Sequence, residues 1–172
     1  MFKIEEIDPV YYRKQTRKSA MIIMAIFIVI GFCTARLAVT YLGEYSDNQI
    51  ILNFIGAFAG LLITLWIVNR FFKNASWMKE AMYAWRLKRH IMYIYNAMSL
   101  LQKATDQGDV EAIKILRFYQ LGTEQMYTLD NNSHGLSELS VQMEELKSKM
   151  NTMGIEVNQI EFNMNSVDAY RK

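Results

Sequence analysis

The sequence predicts an all-α membrane protein, in which a two-helix transmembrane hairpin precedes a cytoplasmic helical bundle and a C-terminal coiled coil. Three observations predict this fold class. Two uncharged apolar runs, Ala20–Ala35 and Ile50–Asn69, lie between basic flanks. The chain has one proline and eight glycines among 172 residues, so little interrupts helix formation. The last segment repeats apolar residues at alternating spacings of three and four, as in a coiled coil.

The first helix should begin at Asp8-Pro9. Aspartate accepts hydrogen bonds from the free N–H groups of a first helical turn, and proline suits the first helical position. A helix from Pro9 to about Leu42 would contain the first span, residues 20–42, which meets the roughly 20 residues that a bilayer requires. Residues 1–19 then form a basic cytoplasmic segment.

The second span covers residues 50–69, and together with the first it forms a hairpin over residues 20–72. Beyond it, the helix either continues straight into the cytoplasm or breaks at Asn74–Ser76, where Ser76 would cap a new helix. The sequence leaves both alternatives open.

Charge sets the orientation. The connection Gly43–Gln49 carries Glu44 and Asp47 but no Lys or Arg, whereas both outer flanks are basic. Because cytoplasmic flanks are enriched in Lys and Arg, both termini should be cytoplasmic. The flanking cations are Lys3, Arg13, Lys14, Arg17 and Lys18 before the hairpin, and Arg70, Lys73, Lys79, Arg86, Lys88 and Arg89 after it.

Small and polar residues within the spans suggest specific roles. Gly56 and Gly60 are four residues apart, and a count of depth places Ala35 opposite Gly56 and Gly31 opposite Gly60, so the two helices should pack closely at these positions. Arg36 is the one charge in the spans. It should extend to the outer surface and pair with Glu44 or Asp47, or else contact lipid or a pore together with Asn53.

The cytoplasmic part divides into residues 73–130 and 136–168. An amphipathic stripe recurs over residues 77–104 at Ala84, Leu87, Ile91, Ile94, Met98 and Leu101. The aromatic residues beside it, including Tyr83, either lie against lipid head groups or line a protein core. We assign a membrane-surface role to Arg70, Lys73, Trp77, Trp85, Arg86 and Arg89. Gln107-Gly108-Asp109 should end one helix and cap the next, which runs from Val110 towards Leu121. A further helix over Thr123–Leu129 precedes a turn at Asp130–Gly135.

Residues 136–168 predict one coiled-coil helix. Its seam either joins copies of this chain or folds back on the stripe of residues 84–101, and the strict heptad favours self-association. The seam residues, assigned to oligomerisation, are Leu136, Leu139, Met143, Leu146, Met150, Met153, Val157, Ile160, Met164 and Val167.

Composition argues against several classes of function. Residues 105–172 hold six Lys/Arg against eleven Asp/Glu, a balance that disfavours nucleic acid as a partner. Residues 1–104 hold thirteen against six, which favours anionic membrane lipids. His90 and His134 are isolated and Cys33 is the one cysteine, so the sequence predicts no metal, no cofactor and no catalytic residues.

Two resemblances follow from short motifs. Gln107–Ala112, followed by Leu116, Phe118-Tyr119 and Gly122, resembles one unit of the Sel1-like helical repeats. Over its whole length the chain resembles an uncharacterised family of short two-span bacterial inner-membrane proteins, which implies topology and bacterial origin but no site. The matching residues are Glu6-Ile7-Asp8, Tyr12-Arg13-Lys14, the paired spans, and Phe118-Tyr119 through Leu129-Asp130.

These observations predict a non-enzymatic, homo-oligomeric inner-membrane protein that anchors or scaffolds cytoplasmic partners, another helical protein among them. The alternative is a small oligomeric ion channel, or an accessory subunit of a channel or transporter, with Arg36 and Asn53 around its outer mouth.

Overall fold

The structure, a computed structural model, describes residues 1–46 and 48–171. It is all-α, with 79% of residues helical, which confirms the all-α part of the predicted fold class. The elements are β1 (Phe2–Lys3), α1 (Pro9–Leu42), α2 (Gln49–Ile67), α3 (Lys79–Tyr95), α4 (Met98–Asp106), α5 (Val110–Leu129), α6 (Ser133–Thr152) and β2 (Glu161–Phe162), with a π-helical turn at Val68–Phe72 and 3-10 turns at Ser76–Met78 and Met164–Tyr170.

The chain divides into two compact units. The hairpin unit comprises Lys14–Met82, and the helical unit comprises Met1–Arg13 with Tyr83–Lys172.

Both hairpin helices lie where the sequence predicts them. Asp8 caps α1 by accepting the Tyr11 N–H at 2.9 Å, and Asn48 caps α2 by accepting the Ile51 N–H at 3.3 Å. The second apolar helix does not continue straight beyond Phe72. After the π-helical turn the chain breaks, and the next 3-10 turn starts without the expected side-chain cap from Ser76.

Glycines bring α1 and α2 into close contact. A Cβ placed on Gly60 would lie 2.6 Å from the Gly31 Cα, and one placed on Gly56 would lie 2.5 Å from the Ala35 Cα. The backbones therefore approach so closely that no larger side chain fits at either position. Thr34 contributes to this contact, since its Oγ1 lies 2.6 Å from the same hypothetical Cβ on Gly60.

The remaining hairpin surface is uncovered. Of the most apolar stretch of each helix, the chain buries only 6% in the first and 22% in the second. Both helices are long and apolar enough to span a membrane.

The helical unit has its own core, built on α5. Its largest cluster joins residues of α3, α4, α5 and α6 with residues that follow α6: Ile94, Ala97, Leu101, Ala112, Ile113, Ile115, Leu116, Phe118, Leu146, Met150, Ile155, Phe162 and Val167. The stripe predicted over residues 77–104 thus supplies core residues, but it lies on two helices, because the chain breaks between Tyr95 and Met98. In contrast, the two helices expected over residues 110–129 form the single helix α5.

Three helix ends share one hydrogen-bonding pattern, the Schellman motif. At the end of α4, Gly108 adopts φ +84°, its N–H bonds to the Thr105 carbonyl, and the Asp109 N–H bonds to the Ala104 carbonyl. Asp109 then caps α5, as the sequence predicts. This turn carries the residues that resemble a Sel1-like unit. Asn131 (φ 58°) ends α5 in the same way.

The third such end corrects the predicted coiled coil. Helix α6 stops at Thr152 rather than near residue 168, so a single helix over residues 136–168 is wrong. Gly154 adopts φ +67°, its N–H bonds to the Asn151 carbonyl, and the Ile155 N–H bonds to the Met150 carbonyl. Glycine takes this left-handed conformation without steric cost, so it ends the helix where apolar spacing alone would continue it.

The residues after Gly154 return to the helical unit. The buried Arg117 donates from Nε to the Val157 carbonyl at 3.1 Å. β2 then pairs with β1 in an antiparallel register that places Phe162 opposite Phe2. At the end of the segment, the Tyr170 hydroxyl donates to Asp109 Oδ2 at 2.7 Å.

We predict that substitution of Gly60 destabilises the hairpin. In Gly60→Leu the new side chain must displace the Gly31 backbone, and overpacking of this kind costs about 1–3 kcal/mol. Ala59→Leu is the matched control, because residue 59 is exposed on the same helix. Unfolding of the micelle-bound protein by added sodium dodecyl sulfate should occur at a lower detergent fraction for Gly60→Leu alone. Equal midpoints for the two variants would contradict the close contact.

We also predict an alkaline loss of stability that depends on Tyr170. Burial, followed by the hydrogen bond to Asp109, raises the pKa of Tyr170 to about 12. An unfolded tyrosine has a pKa of about 10, so the folded chain holds this proton more tightly. The resulting stabilisation is complete below pH 10 and is lost as the pH rises towards 12.

Thermal melts followed by circular dichroism test this dependence. Tyr170→Phe should lose about 1 kcal/mol at neutral pH and show a shallower alkaline decline. Tyr95→Phe is the control, since its exposed hydroxyl has no hydrogen-bond partner among the described residues. An unchanged alkaline decline in Tyr170→Phe would refute the assignment.

Candidate functional site

The structure places the polar residues of the spans on exposed surfaces. Arg36 and Asn53 are both exposed, and within the described part of the chain neither side chain has a hydrogen bond or an ion pair. The expected pairing of Arg36 with Glu44 is not formed, and Asp47 lies outside the described residues. The register set by the glycine contacts puts Asn53 level with Ala38, two residues from Arg36, so both groups lie at a similar depth.

The residues of the hairpin unit that the sequence assigned to a membrane surface lie around the end of its second helix. Arg70 and Lys73 are exposed, and the Arg70 guanidinium lies 5.5 Å from the centroid of the Phe71 ring. Trp77 packs its ring against Phe72 at 5.6 Å, and its carbonyl accepts a hydrogen bond from the buried Ser19 hydroxyl.

Helix α3 separates the aromatic residues that the sequence grouped together. Tyr83 is buried, and its hydroxyl donates to Gln125 Oε1 at 2.5 Å while it accepts the Glu5 N–H at 3.0 Å. Burial raises the pKa of this hydroxyl. Trp85, two residues further on, is 54% exposed, and the Arg89 guanidinium lies 5.5 Å above its ring. Tyr83 therefore lies in the core, whereas Trp85, Arg86 and Arg89 lie on the surface.

The seam residues are divided by the end of α6. Four of them, Leu139, Met143, Leu146 and Met150, are buried within their own chain. Leu146 and Met150 share a cluster with Ile94 and Leu101 of the stripe, which is the fold-back alternative rather than self-association. Beyond the helix, Met153 is exposed, Val167 is buried, and Leu136, Val157, Ile160 and Met164 are half-buried.

Sequence reasoning missed Arg117, although a lone cation within an apolar helical stretch is a visible signal. It is 6% exposed and bonds to neutral acceptors, the Val157 carbonyl and, at 3.4 Å, Gln120 Oε1. Burial lowers its pKa. Gln120 continues this network by donating to the Gln142 carbonyl at 3.0 Å. Arg117 thereby ties the C-terminal segment to α5, and Gln120 ties α5 to α6.

Among residues 1–46 and 48–171, no three His, Cys, Asp or Glu side chains lie close enough together to bind a metal ion. Cys33 is free and exposed.

Comparison with known proteins identifies one family. No curated protein and no solved structure is detectably similar to the chain. A family model described as "protein of unknown function (DUF3087)" matches residues 2–167, nearly the whole length. This agrees with the resemblance to an uncharacterised family noted from the sequence. The chain therefore belongs to the DUF3087 family of proteins of unknown function.

Proposed function

We propose that this protein is a non-enzymatic anchor of the bacterial inner membrane, in which α1 and α2 cross the bilayer and the helical unit serves cytoplasmic partners. The observation that carries the proposal is the uncovered apolar surface of both helices. A soluble protein would bury such helices in its core, but here the core belongs to other residues. Lipid is the solvent in which this surface is stable.

The distribution of charge supports the orientation. The connection between the two helices has no Lys or Arg, whereas cations precede α1's apolar stretch and follow that of α2. By the positive-inside rule both termini are cytoplasmic, and so is the helical unit.

We also propose that the protein self-associates. The support for self-association comes from the hairpin and not from the C-terminal seam. Arg36 and Asn53 are exposed on apolar helices, and hydrocarbon offers their side chains no hydrogen-bond partner. A neighbouring copy at the same depth would supply one. The buried residues Leu139, Met143, Leu146 and Met150 cannot serve the same purpose without opening the helical unit.

Cysteine labelling tests the anchor. In a Cys33→Ser background, we expect a membrane-impermeant maleimide to label Tyr45→Cys in intact spheroplasts, because this exposed residue lies in the connection. Asn151→Cys, exposed on α6, should react only after permeabilisation. Labelling of Asn151→Cys in intact spheroplasts, or recovery of the protein in the soluble fraction, would refute the proposal.

The exposed Arg36 and Asn53 also favour a second candidate function, an oligomeric channel whose outer mouth they line. This function predicts ion flux in liposomes that changes in Arg36→Ala, because the substitution removes the one charge in the spans. Val39→Ala, on the same helix, is the control. Absence of flux from folded oligomers would eliminate the channel and leave the anchor.

A further inference from the structure

Helix α3 is apolar on two sides. Its inner side supplies Leu87 and Ile94, both with no exposed area, to the core of the helical unit. On the opposite side, Trp85 and Met92 are 54% and 59% exposed. A helix that only covers a core would have polar residues there. We call this second surface the outer face of α3, comprising Trp85, Arg89 and Met92, with Arg86 at its edge.

Helical geometry brings these residues together. Trp85, Arg89 and Met92 are separated by four and three positions, so they lie on one side of the helix. Arg86 lies at the edge of this side, next to Arg89. The Arg89 guanidinium over the Trp85 ring shows that charge and aromatic surface are already combined in this face.

The residues of α3 on the outer face carry an excess of positive charge. Residues 81–105 contain no Asp or Glu. Lys88 is neutralised by Asp130, whose Oδ2 lies 3.3 Å from its Nζ. Arg86 and Arg89 have no ion pair with any residue that the structure describes, although Glu5 lines the same pocket as Arg86. Two cations without an ion pair therefore lie beside the exposed Trp85 and Met92 side chains.

We propose that the outer face of α3 lies on a membrane surface and binds anionic phospholipid head groups. This inference rests on the proposed function, because the hairpin must first hold the chain at a bilayer. Trp and Tyr settle at the boundary between head groups and hydrocarbon, and Lys and Arg are attracted to anionic lipid. Only six residues separate the end of the second apolar helix, Phe72, from the start of α3.

Quenching by brominated lipid tests the inference on the full-length protein in vesicles. The chain has three tryptophans, at positions 66, 77 and 85. The Trp66→Phe/Trp77→Phe protein reports on Trp85 and thus on the outer face. The Trp77→Phe/Trp85→Phe protein reports on Trp66 in α2 and thus on membrane insertion.

In vesicles of brominated phosphatidylcholine with phosphatidylglycerol, both tryptophans should be quenched. Adding Arg86→Gln and Arg89→Gln should abolish most of the Trp85 quenching. Each cation near an anionic surface strengthens binding by a factor of about five, or about 25 for two. Trp66 quenching should not change. Lys103→Gln with Lys114→Gln is the matched control, since it removes two cations from α4 and α5.

The outcomes separate the two proposals. Quenching of Trp66 without quenching of Trp85, or Trp85 quenching that both charge-removing pairs reduce equally, overturns the lipid-binding face and leaves the anchor intact. If Trp66 is not quenched, the anchor is refuted, and the lipid-binding face is refuted as well because it depends on the anchor. Circular dichroism of each variant verifies that the helical unit is folded.

Discussion

The apolar surface of α1 and α2 is left uncovered by the rest of the chain, and this one constraint governs the structure. Both helices satisfy their backbone hydrogen bonds internally, so lipid can replace water around them. Lipid, however, provides no hydrophobic drive that would press one helix against the other. The hairpin relies instead on close van der Waals packing, and Gly31, Gly56 and Gly60 are the residues that permit it.

Within the helical unit, stability depends on how helices end rather than on how long they run. Gly108, Asn131 and Gly154 each take a left-handed conformation and close a Schellman motif. The first two ends are followed directly by the capping residues Asp109 and Asn132, so the chain reverses at each end and α4, α5 and α6 pack against one another. The third end returns the chain to the core, where Phe162 and Val167 are buried.

This arrangement changes where partners could bind. A continuous C-terminal helix would have offered a long apolar seam to another chain. The fold buries four of the ten seam residues on α6. In the returning segment it buries Val167 and half-buries Val157, Ile160 and Met164. The surfaces left for interaction are therefore the uncovered apolar surface of the hairpin with Arg36 and Asn53, and the outer face of α3.

The sequence by itself determined the hairpin. The bounds of α1, the start of α2 and the residues that face each other across the two helices all follow from local signals: an Asp-Pro start, apolar length, and small residues four apart. Such signals suffice there because a bilayer admits few alternatives to a straight helix. The basic flanks and the helix end at Gly108 are equally local.

Only the tertiary structure decided the contacts of the C-terminal seam, the two sides of α3 and the burial of Arg117. Apolar spacing is the same for a residue that meets another chain and one that meets its own core, so the heptad of residues 136–167 could not distinguish the two. Nor could spacing show that Tyr83 lies inward and Trp85 outward, or that Arg117 is buried and bonds to the Val157 carbonyl and the Gln120 side chain. Each outcome depends on contacts between residues distant in sequence, which have no signature in any one segment.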